Sequence, residues 1–438
     1  MPKSAGPELQ QGNNSAQDHA LKAPSISLPK GGGAIQRIGE KWSVNPVTGT
    51  ASFSIPIFAS PGRSDFGPKL ALTYDSGAGN GPFGLGWHLG IPAITRKTSK
   101  GLPQYRDESE SDVFLISDAE DLVPELVFEH GRWTRNDRVE EIGSEQFQVR
   151  RYRPRIEGSF ARIERWSRVA SGATHWRAIS RDNVTSLFGR TRAARIADPA
   201  DPTRIFQWML ERSWDDKGNA IVYRYRREEL PAGRRLCDRH RCDDQPNLYL
   251  ERILYGNRTP YLVKPETQDI DFDSDPTAWL FELVFDYAKR RDLAAAPLAR
   301  VPWSVREDPF STYNATFEIR TWRLCHRVLM FHRFDELAPS RYLVRSTDLT
   351  YEENPVATYL ISATQSGYVW DGNRFDSKSY PAVEFDYQRL PTFHSRVQEL
   401  DPASAENLPI GLESGYDTSC KNQPRLRDLS RTMQLYGL

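Results

Sequence analysis

Apolar residues in this chain recur at every second position, in short runs ended by glycine, proline, asparagine or aspartate, and a repeat of 3.6 is scarce. In "TASFSIPIF", Ala51, Phe53, Ile55 and Ile57 alternate with Thr50, Ser52, Ser54 and Pro56. A period of two turns one face of a strand inward and the other outward. Pro56 brings no N–H to a ladder, which implies an edge or a strand end there. "KLALTYDS", "SDVFLIS", "FQVRRYRPR", "HWRAIS", "LFELVFDYA", "RYLVRSTDLTYE" and "AVEFDYQRL" continue the series. Phe206, Trp208 and Leu210 share one face, as do Ile221, Tyr223 and Tyr225; the intervening Asp215-Asp216-Lys217-Gly218-Asn219 predicts a hairpin over 206–226. Only "DLAAAPLARVP" (292–302) offers a turn or two of helix before its prolines stop it. The class is all-β.

The chain is long enough, at 438 residues, for one large β-architecture. Lys plus Arg and Asp plus Glu both total 58, so the formal charge is zero, and nucleic acid is excluded as the main partner. Most of the cations are arginine, whose planar head stacks on rings and pairs with carboxylates in a fork. Residues 1–27 are polar and aperiodic, and are read as a disordered tail without the apolar segment of a secretory signal. No stretch approaches the roughly 20 apolar residues of a membrane span. Four cysteines, Cys237, Cys242, Cys325 and Cys420, are too few to staple such a chain, so synthesis in a reducing cytoplasm is expected. Residues 199–202, 231–247 and 264–277 read as surface loops.

Residues 74–90, "YDSGAGNGPFGLGWHLG", hold six glycines, and Gly79 to Gly84 satisfies the dinucleotide fingerprint G-x-G-x-x-G. That chemistry needs a helix straight after the glycines, to present free N–H groups to a pyrophosphate. Gly86, Gly90 and Pro92 exclude a regular helix there. The stretch is read instead as a bend between strands, with Phe83 and Trp87 plugging a core and no cofactor bound. Glu108-Ser109-Glu110 looks like the paired glutamates of arginine-directed ADP-ribosyltransferases, but no Ser-Thr-Ser strand accompanies it, and it is read as a solvated acidic turn after Tyr105. Cys237-x-x-His240-x-Cys242 has three zinc-type ligands where a closed site takes four. Cys325, His326 and His332 make half a metal site at most, so no metal is expected. No nucleophile motif or phosphate loop is present. Trp42, Trp87, Trp133, Trp166, Trp176 and Trp208 read mainly as core and cross-strand pairs, with glycan stacking as the alternative.

Several long motifs carry a resemblance. They are Pro29-Lys30-Gly31-Gly32-Gly33-Ala34-Ile35, Asn45-Pro46-Val47-Thr48-Gly49-Thr50, Ser60-Pro61-Gly62-Arg63, the run from Tyr74 to Trp87 with Gly77, Gly79, Gly81, Gly84 and Gly86, and Asp121-Leu122-Val123-Pro124. "RYRPRIEGSFARIERW", "RIADPADPTRIFQW" and "DDKGNAIVYRY" extend it, and residues 27–412 are covered. The chain resembles the SpvB-type N-terminal region of virulence-plasmid B proteins and of Tc insecticidal toxin B subunits. Trp214-Asp215-x-x-Gly218-Asn219 is also similar to the Tyr-Asp-x-x-Gly-Asn core of RHS repeats, the aspartate capping the turn and the glycine closing it.

The resemblance implies an extended, twisted antiparallel wall, part of a hollow shell that encloses a toxic effector, with residues 28–400 as the shell domain and no enzymatic activity. It implies as partners a C-type RHS subunit that completes the shell and a pore-forming A-type subunit reached through a propeller. It also implies secretion without a classical signal peptide. In the plasmid proteins the same region precedes an ADP-ribosyltransferase domain, which makes a transferase-associated protein lacking its catalytic domain the alternative. Residues 401–438 diverge where the propeller is expected to begin, and are read as a truncation.

Overall fold

The computed structural model describes residues 41–44, 51–117, 120–158, 160–228, 246–261, 275–289 and 302–387. The tail at 1–27, the divergent segment at 401–438 and the helical candidate at 292–302 fall outside or almost outside them. Among the described residues there are strands and three short 3-10 turns, and no α-helix. The all-β expectation is met, and the sheets are antiparallel in every pairing given below.

One 18-stranded sheet organises the molecule, and it closes on itself at one end. Ala93–Arg96, Phe114–Ile116, Glu120–Pro124, Glu145–Pro154, Arg162–Arg168, Thr174–Ile179, Thr185–Phe188 and Ile205–Trp214 pair in sequence, and Gln207–Met209 then pairs back to Ala93–Thr95. The result is an eight-stranded barrel, a size whose lumen side chains just fill. Cross-strand register places Ile94, Arg96, Phe114, Leu122, Tyr152, Ile163, Arg165, Trp176, Phe188 and Trp208 on its inner face. Phe114, Tyr152, Trp176 and Trp208 meet there at centroid distances of 4.9–6.0 Å, mostly edge to face.

Ile205–Trp214 is the branch strand. Its first half closes the barrel against Ala93–Thr95, and only Arg212–Trp214 pairs with Ala220–Val222. The hairpin expected over 206–226 is therefore paired at its turn and splayed beyond it, because another strand has taken the same edge. From Ala220–Arg227 a meander continues through Leu248–Asn257, Trp279–Asp286, Arg327–His332, Tyr342–Glu352 and Tyr359–Trp370, ending on Phe375–Ser379 and Val383–Glu384. This is the wall.

A four-stranded sheet, Lys41–Val44, Ala51–Ile57, Leu70–Asp75 and Trp87–Leu89, covers one face of the wall. Ile55, Leu72, Phe83 and Trp87 join Ile253, Tyr255, Leu283, Met330 and Leu360 in the same core that fills the barrel. Pro56 pairs with Ala71 on one side, and among the described residues the strand on its other side reaches only Ser54, so its missing N–H interrupts no described ladder.

Candidate functional site

The glycine-rich loop is a clasp between the small sheet and the wall. Gly86 N–H donates to Gly79 O at 3.0 Å, Leu85 N–H to Thr358 O at 2.8 Å, and Cys325 N–H to Pro82 O at 2.8 Å. Gly77 N–H donates to Asp75 Oδ1 and Gly81 N–H to Asn80 Oδ1. These amides serve the protein's own carbonyls and side chains. Arg306 donates to Gly81 O at 2.7 Å and to Asn80 Oδ1 at 2.8 Å, and forks onto Asp308, which also accepts from Asn80 and Thr358. Phe83 and Trp87 enter the core as expected, and Trp87 Nε1 donates to Tyr387 Oη at 2.8 Å. No helix follows: Gly84–Leu85 and Trp87–Leu89 are strand.

Two glycines here are irreplaceable on geometry. Gly86 has φ +79° and a Cβ would lie 2.5 Å from the Tyr74 ring; Gly84 has φ +89° and a Cβ would lie 3.0 Å from Thr358 O. Gly79 and Gly81 lack a positive φ, a Cβ on Gly79 meets nothing within 4 Å, and one on Gly81 makes an ordinary contact. Glycine's φ range is therefore required at Gly84 and Gly86, and not at Gly79 or Gly81.

The Trp214 to Asn219 turn is built as its residues imply. Asp215 Oδ1 accepts from the N–H groups of Lys217 and Asn219, Oδ2 accepts from Asn219 Nδ2, and Gly218 takes φ +81°. Asn257, 1% exposed, donates to Gly218 O at 2.9 Å and accepts from Ala220 N–H, riveting this turn to the next strand. The Ser60-Pro61-Gly62-Arg63 loop is also anchored, by Tyr255 Oη donating to Ser60 O at 2.7 Å. A Cβ on Gly62 would lie 2.1 Å from Phe66 O.

The acidic turn is solvated as expected at Glu108 and Ser109, which are exposed, but Glu110 and the flanking Asp107 and Asp112 turn inward to arginines at the barrel. Arg96, 1% exposed, forks onto Asp107 at 2.6 and 3.0 Å and onto Asp112 at 2.7 Å, while its Nε donates to Ile205 O. Glu110 pairs with Arg135, approaches Arg150 at 3.7 Å and accepts from Tyr152 Oη. Arg96 and Arg150 are lumenal by strand register, Arg135 reaches in from the neighbouring hairpin, and neutralising them recruits the loop. Burial pushes Asp112 up, but N–H donors from Gln104 and Tyr105 and the charge of Arg96 outweigh it and hold the carboxyl below its ordinary range. Burial drives the Tyr105 hydroxyl the other way, up to about 12, and it donates to Ala315 O.

The opposite face of the sheet carries two fully buried carboxylates. Glu164 accepts from Arg138 at 2.9 Å, Arg162 at 2.5 Å and Trp166 Nε1 at 3.1 Å. Glu282 accepts from Arg252, Arg333 and Arg341 at 2.7–3.3 Å. Burial acts to raise both, and the arginines overcome it. Sequence reading noticed the arginine surplus and missed these clusters, because their members lie on separate strands.

Of the remaining candidates, Gly31, Gly32, Gly33, Asn45, Pro46, Gly49, Cys237, His240 and Cys242 lie outside the described residues. Cys325 is buried and its thiol is pushed up by burial; His326 sits edge-on to Tyr351, and His332 shares a 2.7 Å hydrogen bond with Ser60 Oγ. Among the described residues no three metal-ligating side chains converge. Trp87, Trp166, Trp176 and Trp208 are buried, whereas Trp133 is 67% exposed beside Phe128 on the Leu126–Glu129/Arg132–Arg135 hairpin.

Comparison with known proteins agrees with this architecture. The family model described as SpvB, Salmonella virulence plasmid 65kDa B protein, matches residues 45–334. The mono(ADP-ribosyl)transferase SpvB of Salmonella typhimurium is 38% identical over 381 residues, covering 81% of this chain. This chain spans 58% of that relative's length. The TcdB2-TccC3 structure superposes with a TM-score of 0.73 at 34% identity, covering 88% of this chain and 18% of that one. The N-terminal domain of SpvB from Salmonella typhimurium strain LT2 gives 0.58 at 36% identity, covering 72% of this chain and all of that one. The shared fold, the matched motifs and the family model together place this chain in the SpvB family of virulence-plasmid B proteins.

Proposed function

We propose that the chain is a non-enzymatic wall segment of a toxin complex, forming part of a β-shell around a toxic effector. The observation that carries this is the superposition of 88% of the chain on 18% of the TcdB2-TccC3 chain, as one stretch of a much longer β-structure. Its partners are a C-type RHS subunit that completes the shell and an A-type pore-forming subunit. The sheet is suited to continuation, since among the described residues Phe375–Ser379 pairs only with Tyr359–Trp370. An open strand edge calls for a neighbour. The complex acts after export from the cell.

The transferase relatives favour a second reading, in which this region accompanies a catalytic domain that acts on its own. Glu110, the would-be catalytic glutamate, is committed to Arg135 and Arg150 in the barrel plug, which supports a scaffold role here. The test is co-expression with a C-type RHS subunit carrying its effector, followed by limited proteolysis. A co-purifying complex that shields the effector is expected; an effector digested as fast as when alone overturns the shell reading. NAD hydrolysis by the purified chain would favour the transferase instead.

A further inference from the structure

A groove of about 420 Å³ runs over the outer face of the barrel. Trp166, Trp214 and Tyr261 line it together with Arg138, Arg162 and Arg177. Trp214 and Tyr261 meet edge to face at 5.5 Å. Arg138 and Arg162 are committed to Glu164, Glu140 is committed to Arg138 at 2.6 Å, and Glu141 accepts from Gln146 at 2.7 Å. His175 lies against Trp166 and is held neutral by burial and by the surrounding arginines.

Arg177 stands apart from these. It is the cross-strand partner of Glu164, yet among the described residues it makes no hydrogen bond and no ion pair, and its buried Nε has no acceptor there. Its guanidinium lies 5.7 Å from the Trp166 ring centre and feels the charges of Glu164 and Glu140 only through space, without a bond to either. At the parallel Glu282 cluster all three arginines reach the carboxylate. At Glu164 the third arginine is left over, beside open volume. A half-buried guanidinium without a carboxylate is costly, and its rigid fork fits a second carboxylate in two parallel bonds. The two glutamates that line the groove, Glu140 and Glu141, each already accept from a donor, which leaves the Arg177 fork as the place for an incoming carboxylate.

We propose that this groove docks an acidic peptide segment of a partner polypeptide, one carboxylate forking onto Arg177 while flanking residues lie on Trp166, Trp214 and Tyr261. The proposal is independent of the shell reading. The test titrates the full chain against a fluorescein-labelled alternating Glu-Ala peptide of roughly ten residues, with a Gln-Ala peptide and an oligothymidine as comparisons, by fluorescence anisotropy. The Glu-Ala peptide is expected to bind, about ten-fold more weakly to Arg177→Gln and also more weakly at about 0.5 M salt. Arg177→Lys, which keeps the charge and loses the fork, is expected to fall between. Arg177→Gln is expected to melt no lower than the parent, since it removes a half-buried cation that forms no ion pair among the described residues. Equal binding by Arg177→Gln, equal binding of the Gln-Ala peptide, tighter binding of oligothymidine, no binding at all, or a large drop in Tm for Arg177→Gln would each overturn the proposal.

Discussion

Arg306 reaches across 225 residues to donate to the Gly81 carbonyl at 2.7 Å. Its other nitrogens fork onto Asp308, and both side chains are almost fully buried. The contact ties the glycine loop to the segment between Trp279–Asp286 and Arg327–His332 in the middle of the wall.

Replacing Arg306 with Met leaves Asp308 buried without its counter-charge. The expected loss is about 3–5 kcal/mol, the usual cost of breaking a buried pair from one side. Urea denaturation of the variant measures it. Adding Asp308→Asn should recover part of the loss, because the two residues act as a unit.

The clasp glycines separate cleanly. Gly86→Ala combines a positive φ, about 1–2 kcal/mol for a side chain, with a clash against the Tyr74 ring, and should cost more than that sum of strain alone. Gly79→Ala has open space and is expected to be neutral or stabilising by a few tenths of a kcal/mol. Equal midpoints for the two variants would contradict this account.

Acid should weaken the molecule through Asp112, Glu164 and Glu282. Each carboxyl is held below its ordinary range in the folded state. Their stabilisation is thus fully present above the unfolded carboxylate values of about 4 and is lost as pH falls through the depressed folded values. Thermal melts over a pH series should show Tm dropping below about pH 4. Glu282→Gln should lower Tm at neutral pH and flatten that drop.

Trp176 is fully buried at the centre of the barrel, against Phe114, Tyr152 and Trp208. Trp176→Ala should cost about 3–5 kcal/mol. Because Ile205–Trp214 serves both barrel and wall, near-UV ellipticity and secondary structure should be lost in one transition. Separate transitions would show that the two halves fold independently.

Strand positions were legible wherever alternation was clean, as in Ala51–Ile57, Leu70–Asp75 and Phe114–Ile116. The Asp215 turn was legible too, since Asp, Gly and Asn are local determinants whose hydrogen bonds span four residues. Pairing was less legible. The 206–226 hairpin reads as a simple two-stranded unit, yet its first strand changes partner after Met209. Alternation says which face of a strand is buried and leaves open what lies along its edge. The inward pairing of Asp107, Glu110 and Asp112 was not legible for a related reason: their partners Arg96, Arg135 and Arg150 are on different strands, and nothing local brings them together.

The sequence by itself determined an all-β chain, the bend at Gly84 and Gly86, the capped turn at Asp215 and the apolar anchors Phe83 and Trp87, because these follow from φ preference, side-chain period and short-range hydrogen bonding. Only the tertiary structure decided that eight strands close into a barrel, that Arg306 holds the glycine loop and that Arg177 is left without a carboxylate. Those outcomes depend on edge pairing and on the balance of charges between distant strands, and neither is encoded in any single stretch of the chain.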